Sequence, residues 1–98
     1  MTTVPESADV VASIRDGLAR LLPPEDLAQV DLAGMDERTP MLSLPVDSAV
    51  LMALMNDLED AFSVYIEEEA AFSFESVGDI CDYIRQRTAA KARRADSP

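Results

Sequence analysis

The chain is short, 98 residues, and strongly acidic, with nineteen Asp and Glu against eight Lys and Arg and a formal charge of −11. One domain is all that such a length supports, which excludes a large catalytic cleft between domains. The charge is uneven: residues 1–84 hold eighteen acids and three bases, a net −15, whereas residues 85–98 hold five bases and one acid, a net +4. An acidic body repels nucleic acid and anionic membrane and suits basic protein surfaces, so neither nucleic acid nor membrane is expected as a partner. There is no His and a single Cys. That removes imidazole base catalysis, an internal disulfide and Cys/His metal sites, and the run Glu67 to Glu69 lacks the alternating oxygens and Gly of a calcium loop. No secretory signal and no membrane span is readable, so a soluble cytoplasmic monomer is expected.

In chain order, residues 1–6 are expected to be a flexible N-terminus. A first helix follows from Ser7, taken as its N-cap, to about Leu22, with Val10, Val11, Ile14, Leu18, Leu21 and Leu22 on one face. Pro23 and Pro24 end it, because neither offers the N–H that a continuing helix needs. The stretch from Glu25 to Val46 is predicted to be a long, ordered connection with one helical turn after Pro24. Its expected apolar anchors are Leu27, Val30, Leu32, Met41, Leu42 and Leu44.

The next helix follows Asp47 and Ser48, with Leu51, Leu54, Met55, Leu58 and Phe62 at helical spacing. A short acidic helix is expected across Glu67 to Phe72. The last opens at Ser76, with Asp79 three residues on as a capping-box variant, and turns Val77, Ile80, Cys81 and Ile84 to one side. Its apolar period stops at Arg87, so residues 7–87 are read as the domain and 88–98 as a basic, disordered tail. The fold class is all-α, a four-helix bundle of three longer helices and a short third one.

An Asp-Ser pair ahead of an apolar helix by itself indicates only a helix cap. Register adds more. From Asp47 to Ile84 the sequence reads Asp47-Ser48-Ala49, then Leu58-Glu59, Phe62, Ile66, the acidic run Glu67 to Glu69, Ser76-Val77 and Tyr83-Ile84. In this order and spacing, without a gap, the chain resembles the acyl carrier protein family. The resemblance implies a four-helix fold and a 4′-phosphopantetheine donated by coenzyme A and esterified to Ser48, carrying an acyl group as a thioester. It implies that Asp47 helps present the serine to a phosphopantetheinyl transferase, and that Glu59, Asp60 and Glu68 dock on Arg/Lys patches of partner enzymes. Those partners would be an acyltransferase or acyl-activating ligase and a ketosynthase or other biosynthetic enzyme. The carrier would itself be no enzyme, its thiol being borrowed.

The departures from the family pattern are local. Ala49 stands where the family has Leu, and Val50, Leu51 and Ala53 replace acidic or polar residues. Ala49, Val50 and Ala53 are therefore candidates for an apolar docking patch, with packing beneath the long connection as the competing reading. Leu44-Pro45 replaces the usual Leu-Gly. These features, the long connection and the basic tail point to a polyketide or other secondary-metabolite pathway more than to housekeeping fatty acid synthesis. The alternatives are a discrete aminoacyl or peptidyl carrier and an unmodified helical adaptor. The Met residues around the connection, and Cys81, are read as core filling.

Overall fold

A computed structural model describes residues 4–95. It contains α1 (Ser7–Leu21), α2 (Pro24–Leu27), a 3₁₀ turn (Met41–Ser43), α3 (Ser48–Phe62), α4 (Glu68–Ser73) and α5 (Val77–Ala95). No strand occurs among the described residues, where the one β-type pairing is an isolated antiparallel bridge between Pro40 and Ser76. The all-α bundle with a short helix before the last is the expected architecture, and α2 is the expected turn after Pro24.

The core is built from the stripes that the periodicity marks. Val10, Ile14 and Leu18 of α1, Leu54, Met55 and Leu58 of α3, and Val77, Ile80, Cys81 and Ile84 of α5 are all buried. Each large aliphatic side chain among them contributes about 1.5–3 kcal/mol by leaving water. α1 can press against α3 because residue 17 is Gly: a Cβ there would come within 2.7 Å of the Leu54 Cδ1.

The connection between α2 and α3 is fixed from both sides. Arg15 of α1 donates through Nε to the Leu32 carbonyl at 2.8 Å and through Nη2 to the Met35 carbonyl at 3.1 Å. Across from it, the Met41 N–H donates to the Glu75 carbonyl, the Val77 N–H to that of Thr39, and the Gly78 N–H to that of Glu37, at 2.8, 2.9 and 2.7 Å. These bonds satisfy backbone groups that a passage of this length would otherwise leave to solvent. Leu44 and Met35 are buried, and Leu27, Val30, Leu32 and Met41 lie against the core. Leu42 is the exception among the expected anchors, at 99% exposure.

Three boundaries differ from expectation. The N-cap of α1 is Glu6, not Ser7: Glu6 and Asp9 form a reciprocal capping box, with the Asp9 carboxylate accepting the Glu6 N–H at 3.0 Å. The chain is also held just before α1, where the Pro5 carbonyl accepts the Arg85 Nε–H at 3.1 Å, while residues 1–3 of the expected flexible end lie outside the described residues. Finally, α5 does not stop at Arg87 but runs to Ala95. Thr88 is only 3% exposed and its hydroxyl donates to the Ile84 carbonyl at 2.6 Å. Alanines at 89, 90 and 92 then extend the helix with the residue of highest helical propensity. Residues 96–98 of the expected tail lie outside the described residues.

Candidate functional site

Asp47 and Ser48 stand where the connection becomes α3. Asp47 has extended backbone and its Oδ1 accepts the Val50 N–H at 2.8 Å, while its carbonyl takes the Leu51 N–H at 2.9 Å. Asp47 is therefore the N-cap and Ser48 the first helical residue. The N–H groups of Ser48 and Ala49 take no partner among the described residues. They sit at the positive end of a 15-residue helix.

Ser48 is exposed, and its hydroxyl enters no hydrogen bond among the described residues. Three other serines are committed elsewhere. The Ser43 hydroxyl donates to the Pro40 carbonyl at 2.7 Å and the Ser73 hydroxyl to that of Ala70 at 2.8 Å. The Ser76 hydroxyl accepts the Asp79 N–H at 3.3 Å, completing the capping box expected at the start of α5. Ser7 also opens a long helix, but it is half-buried, and its carbonyl lies 3.8 Å from the Cys81 thiol. A phosphodiester on Ser48 fits its surroundings: an open hydroxyl, two unpaired amide donors beside it, and helix polarity that favours an anion.

A cleft of about 160 Å³ adjoins this helix end, lined by Met41, Leu42, Val46, Leu51, Ala71, Phe72 and Phe74. Val46 and Leu51 lie two residues before and three after Ser48. Phe72 is 55% exposed, so with Leu42 the rim is apolar. A larger cleft, about 550 Å³, lies between α1 and residues 35–38 and shares no lining residue with it. Arg15, Asp36, Glu37 and Arg38 make that second cleft a mixed-charge hollow remote in composition from the Ser48 surroundings.

The predicted docking residues fall into different settings. Ala49, Asp60 and Glu68 are exposed. Val50 and Ala53 are half-buried, Val50 against the core, so the apolar start of α3 is partly a packing feature. Glu59 is half-buried, and its Oε2 accepts the Ile66 N–H at 2.9 Å, tying the end of α3 to the start of the acidic run. Local sequence carries no sign of that bond, nor of Arg15 holding two loop carbonyls. The nearest hint is that Arg15 is one of three bases in an acidic body.

Burial, reinforced by the Glu37 and Asp82 carboxylates, pushes the Cys81 thiol up to about 11. A thiol so held is protonated and packed, as expected of core filling. Met55 and Met35 are likewise buried, while Met41 lines the cleft near Ser48. Among the described residues no group of three or more Cys, Asp or Glu side chains is placed to hold a metal ion, and no helix is long and apolar enough to cross a membrane.

Residues 25–84 match the family described as the phosphopantetheine attachment site, a span that contains Ser48 and leaves out α1. Over 41 residues the chain is 44% identical to an acyl carrier protein of Exiguobacterium sibiricum, an alignment that takes in 42% of this chain and 52% of that protein. The chain thus spans about half the length of that relative. With more than half of its residues inside the family match, the chain belongs to the family of phosphopantetheine attachment-site domains, and over the aligned stretch it is similar to an acyl carrier protein.

Proposed function

We propose that Ser48 is the attachment residue and that the protein delivers acyl intermediates to biosynthetic enzymes of a polyketide-type pathway in the cytoplasm. The observation that carries the first part is the open Ser48 hydroxyl at the start of α3, beside two unpaired amide N–H groups. When bound, the prosthetic group supplies the thiol on which cargo is held as a thioester. The chain's own residues do simpler work. Asp47 fixes the backbone turn that points the serine outward, and its carboxylate, exposed beside the hydroxyl, is available to a transferase and its metal-bound coenzyme A. The unpaired Ser48 and Ala49 amides stabilise the negative charge of the phosphodiester.

The pathway assignment rests on the apolar character of this pole. Ala49, Leu42 and Phe72 present exposed carbon around Ser48, and Val50, Leu51 and Ala53 stand where the family pattern favours acidic or polar residues, which suits a dedicated partner surface. Asp60 and Glu68 remain available to basic patches on a phosphopantetheinyl transferase, an acyl-loading enzyme and a ketosynthase. The test is to incubate the full chain with coenzyme A and a promiscuous phosphopantetheinyl transferase and to weigh the intact protein. Wild type gains one phosphopantetheine and Ser48→Ala gains none. A wild type of unchanged mass contradicts the reading and leaves an unmodified helical adaptor.

A further inference from the structure

Near the far end of α3, one face of α5 gathers basic side chains on an otherwise acidic domain. There the α3–α4 turn, Ser63 to Tyr65, faces the second half of α5 across a groove of about 260 Å³ lined by Ser63, Val64, Tyr65, Arg87, Lys91 and Arg94. The three cations recur at i, i+4 and i+7, so one face of α5 carries them all. Two are braced from below. Arg87 Nη2 donates to the Tyr83 hydroxyl at 2.9 Å and to Glu67 Oε1 at 3.4 Å, and Lys91 Nζ donates to the Ser63 carbonyl at 2.9 Å. Arg94 has no partner among the described residues. Beside these charges Tyr65 is 68% exposed.

We propose that this groove is a docking site for a short acidic segment of a partner protein, carrying carboxylates on either side of an apolar residue. The carboxylates pair with Lys91 and Arg94, and the apolar residue lies on Tyr65 and Val64. Charge complementarity selects the occupant, because the groove gathers basic side chains on a molecule whose first 84 residues carry −15. The extent of the patch selects a short segment. A nucleic acid or an anionic membrane would run its next charges onto Asp60, Glu67, Glu68 and Glu69, which flank the groove in sequence and repel them. The site lies a whole helix away from Ser48, about 22 Å along the 15 residues of α3. A partner held there leaves Ser48 free, so it tethers the carrier without occupying its working end. Docking of this kind does not depend on Ser48 being modified.

The test is an amide chemical-shift titration of the isotope-labelled full chain at low ionic strength. The probe is a hexapeptide of four glutamates around a leucine and a phenylalanine; short oligothymidylate and phosphatidylglycerol vesicles are tested in parallel. The expected result is saturable shifts confined to residues 63–65 and 87–94, with Ser48 and Ala49 unmoved. Arg94→Glu, at an exposed position whose helicity is checked by circular dichroism, should weaken the peptide by about tenfold or more. Absence of saturable shifts, shifts elsewhere, indifference to Arg94→Glu, or tighter binding of oligothymidylate or vesicles in this groove each overturns the proposal.

Discussion

Glu59 reaches seven residues forward and accepts the backbone N–H of Ile66 at 2.9 Å. The bond closes the turn after α3, where Ser63 adopts a left-handed conformation (φ 54°) and the chain reverses toward α4. Glu59 and Asp60 are adjacent acids that look interchangeable in sequence, yet only Glu59 has a part in the fold. Glu59→Ala should lower stability by about 1–2 kcal/mol through the unpaired Ile66 N–H, whereas Asp60→Ala should stay within about 0.5 kcal/mol of wild type. Paired urea denaturation curves check this.

Asp47 caps α3, and on the proposed reading it also presents Ser48 to the transferase. Asp47→Ala removes the side chain that caps α3 and should cost about 1 kcal/mol, while Asp47→Asn keeps an acceptor for the Val50 N–H and should hold the melting temperature. Both variants should slow phosphopantetheine loading, since both lose the carboxylate. A thermal melt and a loading time course on the same samples separate cap from recognition; normal loading in Asp47→Asn would confine the residue to capping.

Gly78 bears on the joint between the long connection and α5. A Cβ at this position would meet the Glu37 carbonyl oxygen at 2.9 Å, the same oxygen that the Gly78 N–H approaches at 2.7 Å. Helix propensity favours Ala over Gly by about 1 kcal/mol, but the contact is with backbone and cannot be relieved by a side-chain rotation. Gly78→Ala should therefore lower the melting temperature, where propensity alone would raise it.

Cys81 gives a pH dependence of known sign. In the folded chain its thiol is pushed up to about 11 from the ordinary 9.0. The folded state keeps the proton where the unfolded state sheds it, so this contribution is complete below pH 9.0 and is lost as the pH rises through about 11. Other groups titrate in the same range. The difference between wild type and Cys81→Ala isolates the thiol: the stability of wild type should fall more steeply across that interval.

Local, periodic chemistry was readable in the sequence. Leu54, Met55 and Leu58 share a face because helical spacing puts them there, and Ser76 with Asp79 reads as a cap because the partners are three residues apart. What escaped depends on contacts between distant backbone groups or on direction within irregular chain. Arg15 holding the Leu32 and Met35 carbonyls has no local signature. Leu42 looks like an anchor by composition, yet it sits in a turn whose facing no period dictates, and it points into solvent. The extension of α5 past Arg87 was hidden because its buried side is made of Thr88 and alanines, too small and too weakly apolar to mark a stripe against the polar residues between them. At the site, the position of Ser48 at the head of α3 followed from pattern, but the apolar cleft beside it needed residues 41–46 and 71–74 to be brought together.

On the proposed reading one hydroxyl, that of Ser48, carries the prosthetic group. After loading from coenzyme A, proteolysis and fragment mass spectrometry of the full chain test it most directly. Phosphopantetheine should ride on the peptide containing Ser48, with none on peptides bearing Ser43, Ser63, Ser73 or Ser76. Modification at any of those serines, or a wild-type chain that takes up no phosphopantetheine, would contradict it.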